Sequence, residues 1–253
     1  MHDCDDTTVA MELPPLALYV HIPWCLRKCP YCDFNSHEAK GELPVEDYLQ
    51  AMLRDLSAQI SQVQGRPLQS IFFGGGTPSL MPAAAIARLL AFAEDKIGFA
   101  DDIEITLEAN PGATEYSNLE GLREAGVNRL SFGAQSFNDE HLRALGRIHA
   151  AGDTLRAVAA ARAAGFANIN LDLMHGLPGQ SPQQALADLE SALGLGVQHL
   201  SWYQLTIEPN TVFYSSPPSL PEEEDLSEIQ RLGSRLLRDN SFAQYEVSAW
   251  SQV

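Results

Sequence analysis

Apolar positions along this chain follow two rhythms that alternate. Short apolar runs fall at 17–22, 70–73, 103–107, 129–132, 168–173 and 199–205, each of strand length. Between the first two, Val45, Tyr48, Leu49, Met52, Leu53, Leu56, Ile60 and Val63 recur at three- and four-residue spacing. That is one face of an amphipathic helix. Further helices are predicted over 83–95, 115–125, 152–164, 182–194 and 222–238. Asp153 and Ser181 stand where an N-cap is expected. Gly126 and Gly165 stand where a C-cap glycine is expected. A strand–helix pair repeated six times predicts an α/β fold with parallel strands and outer helices. An open, partial (β/α)6 barrel fits this order, with a doubly wound sheet as the alternative.

The ends of the chain read differently. Residues 1–15 are polar and close on Pro14-Pro15, a loose acidic leader. Residues 16–253 read as one core domain, since no linker interrupts them. The Ser215-Ser216-Pro217-Pro218 stretch is a loop before the last helix, and 245–253 has an extended pattern.

Charge narrows the partners. Lys and Arg number 16 against 33 Asp and Glu, a formal net charge of −17. Binding to a nucleic-acid backbone needs clustered cations, and so does docking on an anionic membrane; neither is expected. No apolar run approaches the about 18 residues of a membrane span. The N-terminus lacks the basic-then-apolar order of a signal peptide, so a cytoplasmic location is expected.

Four cysteines are present: Cys4, Cys25, Cys29 and Cys32. The last three form CxxxCxxC directly after the first strand, on the first βα loop. In a βα barrel that loop belongs to the face where active sites collect. Three thiolates so close suit metal or redox chemistry in a reducing compartment. They could hold three irons of a four-iron cluster and leave the fourth open to a small molecule. Zinc is the rival, with His21 or His37 as fourth ligand.

In this position CxxxCxxC resembles the radical S-adenosylmethionine (SAM) superfamily. Three features add to it: Tyr31 before the last cysteine, Gly74-Gly75-Gly76-Thr77-Pro78 after the second strand, and Glu108 at the end of the third. A narrower resemblance runs from about Leu16 to the end, through YVHIPWC, CPYCDFNSH, FFGGGTPS, LEANPG, NRLSFGAQSF, LGRIH, NLDLMHGLPGQ and LSWYQLTIEPNT. It is to the coproporphyrinogen-oxidase-like branch. That branch holds both oxygen-independent coproporphyrinogen III oxidases and heme chaperones. The oxidases carry one more cysteine two residues after the motif, where this chain has Phe34. The resemblance therefore favours the chaperone type, with the oxidase (propionates decarboxylated to vinyls) as the alternative. Members of both kinds continue past Val253, and the chaperones' heme-binding motif lies in that further part.

The resemblance implies site residues. Cys25, Cys29 and Cys32 would ligate a 4Fe-4S cluster, whose fourth iron the amino and carboxylate groups of SAM would chelate. Tyr19 and Tyr31 would lie beside cluster and adenine. Gly75, Gly76 and Thr77 would offer backbone groups to the methionine ammonium. Glu108 would meet the ribose or the ammonium. Gln135, Arg147 and Asp172 align with SAM-contacting positions, and Thr206 is a weaker match. A planar guanidinium such as that of Arg147 suits a carboxylate. Implied partners are heme as cargo, a heme-acceptor protein and an electron donor for the cluster. His21, His149 and His175 read as structural, His21 being the one nearest the cysteines, and Cys4 as a free thiol.

Overall fold

The computed structural model describes residues 13–112 and 118–253. Strand β1 (Leu16–Ile22) opens the domain. Two-residue strands β2 (Trp24–Cys25) and β3 (His37–Glu38) pair with each other in parallel. They staple the two ends of the cysteine loop together. Helix α1 (Val45–Gln59), strand β4 (Leu68–Gly75), helix α2 (Ala83–Lys96) and strand β5 (Phe99–Ala109) follow. Next come α3 (Leu119–Glu124), β6 (Arg129–Gln135), α4 (Asp139–Ala144), α5 (Ala151–Ala163) and β7 (Asn168–His175). The chain ends through α6 (Pro182–Gly194), β8 (His199–Gln204), α7 (Val212–Ser215), α8 (Glu223–Asp239), β9 (Phe242–Gln244) and β10 (Ala249–Gln252).

The main sheet has eight strands in the order β1-β4-β5-β6-β7-β8-β10-β9. The six strands from β1 to β8 in that order are parallel. This is the predicted open partial barrel. Two further strands follow that the βα rhythm does not announce: β10, inside the extended tail, runs antiparallel to β8, and β9, which precedes the tail, runs antiparallel to β10. A two-residue-period pattern assigns the faces of each strand. On β5, Ile105 and Leu107 are buried under the helices while Thr106 and Glu108 face inward; on β7, Ile169, Leu171 and Leu173 alternate with Asn170 and Asp172. The outer face is one continuous apolar core, with Phe73, Phe132, Phe166 and Trp250 among its largest fully buried side chains.

Local signals hold in part. Ser181 caps α6, its hydroxyl accepting from Gln184 N at 3.3 Å. The Gln184 side chain accepts from Ser181 N at 2.9 Å, completing a capping box. Asp153 is a correction. The N-cap of α5 is Ala150, and Asp153 sits three residues inside, its carboxylate accepting the Ala150 N–H at 2.7 Å. The apolar stripe of α1 runs on past its end, through a 3-10 turn at Ile60–Gln62. The helix expected over 115–125 starts, within the described residues, at Leu119, since 113–117 lie outside them. The same is true of the leader up to residue 12, Cys4 included. Among the described residues no helix is long and apolar enough to cross a membrane.

Candidate functional site

The carboxyl ends of the parallel strands surround a cavity of about 490 Å³. All the residues that the resemblance implies for cluster and SAM except Tyr19 line it, the three cysteines included. Tyr19 lies on the same inner face but beyond the cavity wall, 58% exposed, stacked on Phe72 and bonded through its hydroxyl to His21 Nδ1 at 2.9 Å.

The cysteine loop is held from several directions. Cys32 N donates to Cys29 O at 3.1 Å, closing a turn, and Ala39 N donates to Cys25 O at 2.8 Å. The Lys28 ammonium donates to the carbonyls of Phe34 and Ser36, both at 3.0 Å. All three thiols are free and half-buried. Burial pushes the Cys25 thiol up, against hydrogen bonds from Thr77 and Ser36 that favour its thiolate. Among the described residues no three Cys, His, Asp or Glu side chains close on one point as a single metal ion requires. A four-iron cluster takes each thiolate on a different iron. His21, offered as a zinc ligand, has its second ring nitrogen against Asn35 O at 2.8 Å.

Crowding alone already requires glycine in this run. Gly76 N donates to Ile22 O and Thr77 N to Trp24 O, both at 2.7 Å, so the loop after β4 docks on the loop after β1. A Cβ on Gly76 would lie 2.5 Å from the Trp24 carbonyl oxygen. Gly75 has φ +114°, and a Cβ there would meet the His21 ring at 2.6 Å. Only glycine fits both positions. Gly75 N donates to Glu108 Oε2 at 3.2 Å.

Charge is gathered deep in the cavity. Burial, and then the neighbouring Asp172 charge, push the Glu108 carboxyl up to about 7 despite that N–H. Asp172 is pushed up by burial too; Ser201, Ser131 and Asn170 oppose the shift by hydrogen bonding. Asn170 Nδ2 donates to its Oδ1 at 2.8 Å and the Ser131 hydroxyl to its Oδ2 at 3.1 Å. Opposite stands Arg147. Its guanidinium donates to Asn110 Oδ1 at 2.6 Å, to Gly133 O at 2.8 Å and to Cys29 Sγ at 3.6 Å. Asn110 in turn donates to Thr77 Oγ1 at 2.9 Å, so one amide links the glycine loop, the arginine and the thiolates. Burial raises the Tyr31 phenol, which keeps that ring neutral beside the cysteines.

Gln135 has φ +65°, rare for a residue with a side chain, at an irregularity in the β6–β7 register. Such backbone outliers gather at functional sites. The Tyr203 hydroxyl donates to Gln135 Oε1 at 2.9 Å. Behind it, the buried Asp188 of α6 accepts from Ser136 Oγ at 2.7 Å and Phe137 N at 2.6 Å, holding the turn that follows. Thr206 lies at the exposed rim. Asn110, Ser131, Tyr203 and Asp188 were not singled out from sequence. Asn110, inside LEANPG, had a local signal; the others depend on register and helix packing.

A parallel βα half-barrel that carries three free thiols, a guanidinium and buried carboxylates at the strand ends has the donor set of a cluster-binding protein, beside an open cavity. The sequence pattern of the Radical SAM superfamily matches residues 19–192, and the chain belongs to that superfamily. Membership brings a 4Fe-4S cluster and SAM, and the thiolate set fits the cluster. Over 242 residues the chain is 51% identical to the heme chaperone HemW of Escherichia coli, covering 96% of this chain and 64% of that protein. Over 246 residues it is 51% identical to HemW of Haemophilus influenzae, with the same coverage. The chain thus spans about 64% of the length of these curated relatives. Among solved structures it resembles the coproporphyrinogen III oxidase HemN of Escherichia coli, a radical SAM enzyme. The TM-score is 0.84 at 29% identity, over 94% of this chain and 56% of that one.

Proposed function

We propose that this chain is the cluster- and SAM-binding part of a heme chaperone, a protein that holds heme and hands it to an acceptor protein. The observation that carries the reading is the 51% identity over 96% of the chain to curated heme chaperones, against 29% to the oxidase that shares its fold. Phe34, where the oxidases carry a further cysteine, agrees with it. Cytoplasmic residence fits three free thiols, which persist in a reducing compartment.

In this reading Cys25, Cys29 and Cys32 hold the cluster as thiolates. When bound, the cluster supplies a single electron for cleavage of the SAM sulfonium. The chain's own residues bind and orient. Arg147 pairs its guanidinium with the methionine carboxylate. Glu108, Asp172 and the carbonyls of the glycine loop face the ammonium and the ribose hydroxyls. A carboxyl that titrates near 7 forms an ion pair with an ammonium only when ionised, so the arriving cation lowers the Glu108 pKa toward its usual range. Tyr31 covers the adenine, and Gln135 and Thr206 complete the wall.

The test is one anaerobic incubation of the iron–sulfide-reconstituted protein with SAM, dithionite and coproporphyrinogen III, read by mass spectrometry. The expected result is 5′-deoxyadenosine with no porphyrinogen lighter by carbon dioxide. A decarboxylated product would make the protein an oxidase and overturn the chaperone reading. A Cys29→Ser variant should lose the brown cluster absorbance and deoxyadenosine together.

A further inference from the structure

Gln135 is held in an unusual way. It closes β6 with φ +65°, and the β6–β7 register breaks between Phe132 and Gln135. Residues with a side chain rarely adopt that left-handed conformation, and it persists only where the surroundings impose it. Gln135 Oε1 accepts from the Tyr203 hydroxyl at 2.9 Å. The carboxamide therefore turns its Nε2 donors the other way, over Gly133, where an added Cβ would lie 3.0 Å from Nε2. Gln135, Gly133 and Tyr203 all line the cavity.

The group that holds this conformation lies outside the cavity. Asp188, in α6, is buried and lines no part of the cavity. Its two oxygens accept from the residues directly after Gln135: Oδ2 from the Ser136 hydroxyl at 2.7 Å and Oδ1 from Phe137 N at 2.6 Å. Ser136 Oγ in turn accepts from Asn138 N at 3.0 Å. Gln180 brings in the loop after β7, its Nε2 donating to Asp188 Oδ2 at 3.4 Å and its Oε1 accepting from Leu177 N at 3.2 Å. Burial pushes the Asp188 carboxyl up to about 6, against the Phe137 and Ser136 donors. A carboxylate in such a place is unfavourable unless donors hold it.

We propose that Asp188 is a positioning residue of the SAM site: it fixes the Ser136–Phe137 turn from behind and so keeps Gln135 left-handed, with its amide donors turned into the cavity. The proposal rests on the reading of Gln135 as a SAM contact. An amide donor there suits a ring nitrogen of adenine or an oxygen of the ribose or carboxylate. Asp188 touches no ligand itself. Released from it, Gln135 relaxes to a negative φ that redirects the side chain.

The test is a double-mutant cycle on the iron–sulfide-reconstituted protein. The SAM Kd is read by equilibrium dialysis, and urea unfolding is run on the same samples. Asp188→Ala should weaken SAM about tenfold, on the scale of one hydrogen bond, and Gln135→Ala by a similar factor. In the Gln135→Ala background, Asp188→Ala should weaken SAM by less than about twofold more, because the group it acts through is gone. A residue that only stabilised the fold would weaken SAM by the same factor in both backgrounds. Asp188→Asn keeps an acceptor for Phe137 N, so its Kd should fall between those of the parent and the alanine variant. It carries the cycle where urea unfolding shows the alanine variant unfolded. Parent-like SAM binding in the Asp188 variants, or the full further loss in the Gln135→Ala background, would overturn the positioning role. Parent-like binding by Gln135→Ala would remove Gln135 from the SAM contacts and the proposal with it. Failure of the parent to bind SAM would instead overturn the reading of the cavity on which the proposal rests.

Discussion

The two faces of the same parallel strands are built for different ends. On β5 to β7 the outward residues Ile105, Leu107, Leu130, Phe132, Ile169 and Leu171 are all buried against helices. The inward residues alternate with them: Thr106, Glu108, Ser131, Asn170 and Asp172, the last three tied to one another by hydrogen bonds. The outer face lowers the free energy of folding by removing apolar area from water. The inner face holds carboxylates whose burial is unfavourable, as their raised pKa values record. The lesson is that stability and chemistry are separated by one residue of register.

The sharpest way to break that comparison is Phe132→Ala, which leaves a void in the outer core. It should cost about 3–5 kcal/mol in urea unfolding; a loss below about 1 kcal/mol would mean the outer face does not carry the fold. Next is Gly76→Ala. Its methyl meets the Trp24 carbonyl, a backbone atom that cannot swing aside. About 1–3 kcal/mol should be lost, and reconstituted iron should fall with it because the cysteine loop is displaced. A stable variant with full iron content would show the two loops to be independent.

Asp172→Asn should change stability by under about 1 kcal/mol, because it removes a buried charge and keeps the hydrogen-bonding shape. Its effect belongs in SAM affinity, measured by titration of the reconstituted protein. Large destabilisation with unchanged SAM binding would reverse the roles assigned to the inner face. The smallest effect is one of pH. Glu108 is raised in the fold to about 7 from an ordinary 4.5. The folded protein therefore holds more protons than the unfolded chain between those values, and stability falls as pH rises through that window. His149 and His175, lowered by burial to about 4, act oppositely: they make stability rise between about 4 and 6.5. Glu108→Gln should remove Glu108's own share of the falling component and leave the shares of Asp172 and Asp188, both also raised by burial, so its Tm against pH should climb more steeply from pH 5 to 7 than the parent's. Parallel curves would mean that Glu108 does not titrate there.

Local pattern explains how much of this could be read beforehand. The six parallel strands were legible because Ile169, Leu171 and Leu173 alternate with polar partners and glycines end the helices. The cysteine set was legible because it lies on one short loop. Of the antiparallel β9–β10 pair only β10 was visible, as an extended tail, since β9 is three residues long and strand direction within a sheet leaves no mark on period. Helix α4 escaped because its six residues DEHLRA are too few to show a period. In the site, Asp172 was legible through the family resemblance, within NLDLMHGLPGQ. Its supports Ser131 and Ser201, on neighbouring strands, were not, because only register joins them.

The sequence by itself determined the αβ rhythm, the thiolate triad and the superfamily, because each is written in contiguous residues or fixed spacings. Tertiary structure alone decided that His21 and Trp24 leave room only for glycine at Gly75 and Gly76, that Tyr19 stands outside the cavity, and that Arg147 reaches Asn110 and Cys29 from far along the chain. Those outcomes depend on which strands are neighbours and in what register. Contacts between distant segments are set by the packing of the whole outer core, which no local stretch of chain encodes.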